Sequence, residues 1–296
     1  MAFKLSKALI GSVKHLEITT KGIVTGGVMG KYKSMFKGRG LEFDSYRLYG
    51  QQDDASLIDW KASKRSNNIL IKEYVEERDI NIFFVIDTSA SMTLGTTSKL
   101  KMEYSAEMIS ALYYSVLNSG DNAGFCLFND SVNHKQKPEK GIKNFYKFTK
   151  HIVEMKHYGG KCNLVSALKF LLSYIDQYGI VFIVSDFIGL SGDWKRYLKI
   201  VMHKYDVIGI MVRDPIDRSI PKMSAQVVIE DPYTGQQLLI EPNKINTSYK
   251  RAASQQESEI KTLFIKNNSD FIITDTSKDF VKPLYDLFLK RAKKWR

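Results

Sequence analysis

Cysteine and long apolar runs are scarce in this sequence. Cys126 and Cys162 are its two cysteines, which is too few for a disulfide scaffold. Cys126 lies in the apolar run 124–128, which is typical of a buried strand, so we expect a reduced, cytoplasmic protein. A membrane-spanning helix needs roughly 18 apolar residues in succession, and the sequence has no such stretch. Polar residues interrupt the short apolar run near residue 10, so we do not expect a secretory signal peptide.

The patterns that mark common catalytic sites are also missing. The sequence has neither the Gly-Lys-Ser/Thr of a phosphate-binding loop nor a Gly-x-Ser-x-Gly nucleophile elbow. Its five histidines lack the spacings typical of metal ligands, so we expect surface or capping roles for them. They are His15, His134, His151, His157 and His203. We therefore predict no enzymatic activity and no small-molecule substrate, and a thiol nucleophile at Cys162 near His157 is a minor alternative.

Positive charge exceeds negative charge by a wide margin. Lys and Arg total 44 against 32 Asp and Glu, which gives a net charge of +12, and hydrophobic residues make up 44% of the chain. That hydrophobic fraction excludes a disordered chain, and the charge favours acidic partners such as nucleic acid or an anionic membrane surface. Basic residues are concentrated near the C-terminus, where they also suit the end of a helix because of its dipole. They include Lys290, Arg291, Lys293 and Lys294.

The pattern of apolar residues divides the chain into two parts. Residues 1–78 contain a basic helix predicted at 3–17, a Gly-rich stretch and short strand-like pieces. From 79 to 296, apolar runs alternate with helical patterns, which predicts an α/β fold with a doubly wound, mostly parallel sheet. Residues 226–240 break the alternation and predict a hairpin insertion. The apolar runs are Ile80–Ile86, Ala123–Phe128, Ile180–Val184, Val207–Val212 and Phe271–Ile273. The helical patterns cover 98–118, 143–156, 163–176, 193–204, 243–267 and 279–294.

Polar side chains directly follow two of the predicted strands. Asp87, Ser89 and Ser91 come after the first strand, and Asp186 follows the strand at 180–184. Because parallel strands end at the same edge of a sheet, we expect Asp87 and Asp186 to lie close together. Carboxylate and hydroxyl oxygens suit a hard cation such as Mg²⁺, although two serines that only cap a turn are the alternative. Ser89 stands where a haloacid-dehalogenase-type phosphotransferase has a second aspartate, which argues against phosphoryl transfer.

This Asp-x-Ser-x-Ser arrangement resembles the von Willebrand factor type A domain and its metal-ion-dependent adhesion site. The resemblance extends over nearly the whole chain from about residue 16, because further segments look like the bacterial domain-of-unknown-function family 58. Those segments are Gly38-Arg39-Gly40-Leu41-Glu42-Phe43, Arg47-Leu48-Tyr49, Asp53-Asp54, Ile58-Asp59-Trp60, Lys64-Arg65, Glu76-Glu77, Ser98-Lys99-Leu100, Gly120-Asp121-Asn122-Ala123-Gly124, Asp214-Pro215, and Asp231 with Thr234-Gly235.

The resemblance implies metal-dependent protein recognition. Asp87, Ser89 and Ser91 would bind Mg²⁺ or Mn²⁺, Asp186 would support the ion, and a carboxylate of a partner protein would complete its coordination. The family has a threonine in the second metal loop where this chain has Cys162. A thiol suits Mg²⁺ poorly, so Zn²⁺ or a weak or empty site is the alternative for this position.

The resemblance also implies a partner, namely a MoxR-type AAA+ ATPase. In that setting the chain would act as an adaptor or substrate selector for client proteins in complex assembly or metal insertion. The alternative function is a basic protein that binds nucleic acid or an anionic membrane surface through a metal-free structural domain. A hydrolytic enzyme that depends on Asp87 is a third and minor possibility.

Charged and aromatic residues are dense before residue 66. We interpret them as an ion-pair network that fastens the N-terminal segment to the main domain, with Trp60 as an apolar anchor of that segment. A partner-docking face is the alternative. The set consists of Arg47, Asp53, Asp54, Asp59, Trp60, Lys64 and Arg65.

Overall fold

The computed structural model describes residues 42–50, 53–75 and 80–294. They belong to two compact units. The smaller unit spans Phe36–Ile80, and the described residues of the larger unit begin at Asn81. The predicted N-terminal basic helix lies outside the described residues. Within the described ranges, no helix has both the length and the apolar character that crossing a bilayer requires.

The smaller unit is built on an antiparallel pair of strands. Strand β1 (Glu42–Leu48) pairs with β2 (Leu70–Val75), and helix α1 (Trp60–Ser66) lies between them in the sequence. The carboxylate of Asp59 accepts hydrogen bonds from the amides of Lys61 and Ala62. This cap satisfies backbone donors that the first turn of a helix otherwise leaves free.

The charged cluster of the smaller unit forms local ion pairs. The guanidinium of Arg47 donates to both carboxylate oxygens of Asp53, at 2.6 and 2.7 Å. The ammonium of Lys72 lies 3.1 Å from the carboxylate of Asp59. These pairs join residues within the unit. The interpretation of Trp60 as an apolar anchor is wrong, because 68% of its surface is exposed.

A six-stranded sheet forms the centre of the larger unit. The strands of this unit, including a separate hairpin of β8 and β9, are β3 (Asn81–Asp87), β4 (Asn122–Phe128), β5 (Val132–Glu139), β6 (Ile180–Ser185), β7 (Asp206–Arg213), β8 (Val227–Glu230), β9 (Gln237–Ile240) and β10 (Asp270–Asp275). The order in the sheet is β10-β7-β6-β3-β4-β5. Neighbouring strands are parallel except β4 and β5. The predicted doubly wound, mostly parallel sheet is confirmed, and each predicted apolar run is one of its parallel strands.

The helices of the larger unit connect these strands and flank the sheet. They are α2 (Lys101–Asn118), α3 (Ile142–Ile152), α4 (Leu164–Tyr174), α5 (Trp194–Lys204), α6 (Pro215–Arg218), α7 (Pro242–Lys266) and α8 (Val281–Lys294). Every helix predicted after residue 79 is present with ends shifted by a few residues, and the one-turn helix α6 is an addition. Strands β8 and β9 pair antiparallel, which confirms the predicted hairpin.

Burial explains why five strands were predictable and β5 was not. Every residue of β6 is buried, and strands covered by helices on both faces have nearly continuous apolar sequences. In β5, half-buried and exposed residues alternate. Its polar composition therefore resembles a loop, and the sequence analysis did not predict this edge strand.

Asn144 of α3 joins this helix to the strands β4 and β5. Its amide group donates to the carbonyl oxygens of Ala123 at 2.6 Å and Glu139 at 2.8 Å, and its oxygen accepts from the hydroxyl of Tyr113 at 2.9 Å.

Asn144→Ala removes the partner of these groups, so we expect the free energy of unfolding to fall by about 1–3 kcal/mol. Urea unfolding measures the change. Lys147→Ala, at an exposed position of α3, should cost about 0.5 kcal/mol or less, and equal losses in the two variants would contradict the prediction.

Candidate metal centre at the strand ends

The carboxyl ends of β3 and β6 bring the predicted site residues together. These strands are parallel neighbours, Asp87 is the last residue of β3, and Asp186 directly follows β6. Each of the predicted site residues is at most 2% exposed. They are Asp87, Ser89, Ser91, Cys162 and Asp186. We refer to this group as the strand-end site.

Asp87 accepts three hydrogen bonds at the strand-end site. Its Oδ1 accepts from the amide of Ser89 at 2.8 Å. Its Oδ2 accepts from the hydroxyl of Ser185 at 2.5 Å and from the thiol of Cys162 at 3.1 Å. Burial, and then the charge of Asp186, raise the pKa of Asp87 to about 6, although hydrogen bonds from Ser185 and Ser89 act in the opposite direction. The ionised carboxylate is therefore poorly compensated at neutral pH.

The turn after β3 holds the two serine hydroxyls close together. The Oγ atoms of Ser89 and Ser91 are 3.2 Å apart. The amide of Ala90 donates to the carbonyl of Gly160 at 2.9 Å, which ties this turn to the loop that carries the cysteine. Gly160 has a φ of +70°, and a Cβ at this position would collide with the carboxylate of Asp130. The positive φ and the contact with Asp130 therefore both favour glycine at this position.

Lys101 is a member of the site that the sequence analysis missed. It is the first residue of α2 and is fully buried. Its Nζ lies 2.6 Å from Asp186 Oδ2 and 3.1 Å from Asp217 Oδ2. Burial alone lowers the pKa of Lys101, but the two carboxylates more than offset this effect and hold the pKa above its ordinary value. Asp87 has no comparable ion pair within the described ranges, so Lys101 neutralises Asp186 and leaves Asp87 uncompensated.

Cys162 acts as a hydrogen-bond donor in this arrangement. Burial, and then the charge of Asp87, raise the pKa of the Cys162 thiol. A protonated thiol donates to Asp87 much as a threonine hydroxyl would, whereas a metal ligand must be the thiolate. The geometry therefore favours a donor role for Cys162 over a ligand role.

The tip of the β8–β9 hairpin reaches the strand-end site, which the sequence analysis did not foresee. The hydroxyl of Tyr233 donates to the carbonyl of Ile188 at 3.1 Å. Burial raises the pKa of Tyr233, and a hydrogen bond with Ser91 opposes this effect. A Cβ at Gly189 would collide with the Tyr233 ring, so the ring lies directly against this loop. Aliphatic side chains of the same hairpin are exposed, namely Val228, Ile229, Leu238 and Leu239.

The donor atoms of the strand-end site suit a hard divalent cation. A buried carboxylate with a raised pKa lies beside two hydroxyl oxygens, and oxygen ligands are those that Mg²⁺ and Mn²⁺ prefer. A cation there would favour the ionised form of Asp87. Asp186, by contrast, already has an ammonium partner, so a supporting role for Asp186 competes with Lys101.

Basic residues of the C-terminal helix take part in internal ion pairs. Arg291 is 5% exposed and forms ion pairs with Asp206 and Asp270, the latter at 2.7 Å. Lys290 lies 3.2 Å from Asp270. At least part of the basic C-terminal pattern thus serves to attach α8 to the ends of β7 and β10.

The sheet order, the Asp-x-Ser-x-Ser turn at the end of a central strand and the second aspartate define an α/β domain of the von Willebrand factor type A class. The chain belongs to the family described as "Protein of unknown function DUF58", whose model matches residues 45–259. It is 23% identical to an uncharacterized protein of Mycobacterium tuberculosis over 289 residues, which are 96% of this chain and 90% of that protein.

Solved structures with a similar fold include von Willebrand factor type A domains. A conserved hypothetical protein, BatB from Bacteroides thetaiotaomicron, is 16% identical with a TM-score of 0.48, and the match covers 72% of this chain and 98% of that one. A von Willebrand factor type A protein from Catenulispora acidiphila is 11% identical with a TM-score of 0.40, covering 76% and 44%. Proximal thread matrix protein 1 from the mussel byssus, with a zinc-occupied metal-ion-dependent adhesion site, is 14% identical with a TM-score of 0.39, covering 72% and 47%. These likenesses concern the fold and do not assign a ligand or a partner to this chain.

Proposed function

We propose that this protein is a non-enzymatic, metal-dependent protein-interaction module. One observation carries the proposal: the buried carboxylate of Asp87 lacks an ion-pair partner among the described side chains, while Asp186 beside it is paired with Lys101. A buried and uncompensated carboxylate is costly. A cation bound by Asp87, Ser89 and Ser91 would remove that cost.

Mg²⁺ or Mn²⁺ is the ion that we propose for this site. A bound ion would offer a coordination position to a carboxylate of a partner protein. Zn²⁺ bound through Cys162 is less favoured, because a cysteine that binds zinc must be the thiolate, and burial and Asp87 raise the pKa of this thiol. The residues of the strand-end site are buried and the Tyr233 hydroxyl lies beside Ser91, so we propose that Tyr233 moves when a partner reaches the ion.

A protein is the partner that the surroundings of the site favour. The hairpin whose tip reaches the site also carries exposed aliphatic side chains on β8 and β9, and apolar surface favours contact with protein over contact with phosphate groups. We propose a MoxR-type AAA+ ATPase as this partner, with the chain acting as a cytoplasmic adaptor or substrate selector for client proteins in assembly or metal insertion. Nucleic acid and anionic membrane surfaces are less favoured, because Arg291 of the basic C-terminal helix is committed to internal ion pairs.

The first test is the effect of divalent ions on unfolding. Mg²⁺ or Mn²⁺ at about 100 times its dissociation constant should raise the free energy of unfolding of the wild type by about 2.7 kcal/mol relative to chelator. Asp87→Ala should abolish this response. Asp193→Ala, at an exposed aspartate, is the matched control and should respond like the wild type. A response that survives Asp87→Ala, or no response in the wild type, would reject the proposed ion site.

The second test concerns the partner. Calorimetric titration with a purified MoxR-type ATPase from the same organism should show binding that requires Mg²⁺ or Mn²⁺ and that Asp87→Ala abolishes. Duplex DNA and anionic vesicles serve as comparison ligands. Affinity for these ligands that falls steeply with salt, together with no metal-dependent binding of the ATPase, would support the alternative function.

A further inference from the structure

Histidines from separate parts of the chain meet at one place. His134 lies on β5, His151 on α3, and His157 in a short 3₁₀ turn after α3. One potential ligand atom from each of the three lies within 4.8 Å of the other two. The rings of His134 and His151 are stacked with centroids 3.6 Å apart, and each is 5.6 Å from the His157 ring. His157 is buried, so a surface position is wrong for this residue, whereas His134 and His151 are half-buried.

A carboxylate adjoins the same cluster. Oε2 of Glu154 lies 3.2 Å from Nε2 of His157 and 3.9 Å from Nδ1 of His151. The ammonium of Lys156 lies 2.5 Å from the same oxygen, and 66% of that lysine side chain is exposed. Lys156 can therefore turn into solvent when another cation takes its place.

Buried polar atoms of this cluster lack well-aligned hydrogen bonds. Nδ1 of His151 and Nε2 of His157 are both buried without a hydrogen-bond partner, and the His157 side chain is 9% exposed. Such atoms are rare in folded proteins because leaving them unsatisfied costs free energy. A shared ligand that accepts the lone pairs of the ring nitrogens would remove this cost.

We propose that His134, His151, His157 and Glu154 form a second metal site, which binds Zn²⁺ or a similar transition-metal ion and is separate from the strand-end site. Three imidazoles and one carboxylate provide the four ligands of a closed tetrahedral site. Mg²⁺ is not expected there, because it prefers oxygen ligands in octahedral geometry. We refer to this group as the histidine site.

The geometry requires only a small adjustment to bind an ion. Zn–N distances of about 2.0–2.1 Å in a tetrahedron place ligand nitrogens roughly 3.3 Å apart, compared with separations of up to 4.8 Å here. The rings therefore need to approach by about 1–1.5 Å. Burial lowers the pKa of each histidine, that of His151 to about 4, so the rings are in the neutral form that binds metals.

A bound ion would fasten the edge of the sheet to the loops near the strand-end site. The carbonyl of His157 accepts from the side chain of Asn133, the neighbour of His134, at 3.0 Å. The amide of Gly159 donates to the carbonyl of Thr88 at 2.9 Å. Metal at the histidine site would thus hold β5, α3 and the loop that leads to Cys162 in one arrangement, which assigns it a structural role.

Cobalt titration of untagged, full-length protein tests this proposal. Co²⁺ replaces Zn²⁺ in such sites and gives strong visible absorption only in tetrahedral coordination. We expect a saturable spectrum with one equivalent that Zn²⁺ displaces. His151→Gln and His134→Gln should each weaken binding at least about tenfold, because even the loss of an outer-shell partner weakens metal sites 10–100-fold. Both residues are partly exposed, and circular dichroism of each variant checks that it is folded.

Two control variants distinguish the histidine site from other metal binding. His203→Gln changes an exposed histidine outside the cluster, and it should leave the titration unchanged. Asp87→Asn should also leave it unchanged, so failure of the proposed function at the strand-end site does not affect this result. An absent or octahedral spectrum in the wild type, or a tetrahedral spectrum that His151→Gln and His134→Gln leave intact, would overturn the proposal.

Discussion

Replacing Lys101 by methionine is expected to lower the free energy of unfolding by about 3–5 kcal/mol. The ammonium of Lys101 is the cation that lies between Asp186 and Asp217, and it is fully buried. Methionine retains much of the volume of the lysine side chain, but it leaves the buried carboxylates of Asp186 and Asp217 without their ammonium partner. Removal of one member of a buried ion pair is costly for this reason, even where the intact pair adds little stability. Urea unfolding at pH 7.5 in chelator measures the loss.

A nearby lysine provides the control for this prediction. Lys99 pairs with Glu107, but 43% of its side chain is exposed, so Lys99→Met should cost about 1 kcal/mol or less. Adding Asp186→Asn to Lys101→Met should recover part of the lost stability, because it removes one of the uncompensated charges. Equal losses in Lys99→Met and Lys101→Met would show that the buried ammonium does not neutralise these carboxylates.

Asp87→Asn is expected to stabilise the metal-free protein above pH 6 and not below pH 4. The folded protein raises the pKa of Asp87 from 3.8 to about 6, so the folded state binds this proton more tightly than the unfolded state does. The protonated carboxyl makes a favourable contribution to the free energy of unfolding. This contribution is fully present below pH 3.8 and is lost as the pH rises to about 6. Above that pH the ionised carboxylate costs up to about 3 kcal/mol, and asparagine avoids this cost.

Chemical unfolding at a series of pH values in chelator checks this pH dependence. The difference in unfolding free energy between Asp87→Asn and the wild type should grow from pH 4 to pH 6 and then level off. Asp193→Asn, at an exposed aspartate, should show no such growth. Mg²⁺ at about 100 times its dissociation constant should remove most of this difference, because it stabilises the wild type alone by about 2.7 kcal/mol. A difference that stays constant with pH would contradict the assignment of an uncompensated carboxylate to Asp87.

Sequence patterns predicted the parts of this protein that depend on local periodicity. Continuous apolar runs identify strands that are buried on both faces, and the order of runs and helical patterns identifies a doubly wound sheet. Asp87 and Asp186 could be placed together because each lies at the carboxyl end of such a strand. The rule that neighbouring parallel strands end at the same edge of the sheet was sufficient to predict this part of the candidate site.

The other features depend on contacts between distant segments. Lys101 pairs with Asp186 and Asp217, which follow it by 85 and 116 residues, and no local spacing encodes such pairs. His134, His151 and His157 come from a strand, a helix and a turn, so they do not share the periodicity of one element. Trp60 was assigned to the interior from its residue type alone, although amphipathic aromatic side chains are often exposed.

The composition of β5 determines where another chain can join this sheet. Lys135 and Lys137 are exposed on this edge strand, and Pro138 lacks an amide hydrogen for further pairing. Lysine and proline on an edge are features by which proteins resist intermolecular strand addition. The sheet is therefore protected against extension at β5, and self-association through a continuous intermolecular sheet is disfavoured along this side. A partner that contacts β5 would therefore engage its side chains rather than add a strand to the sheet.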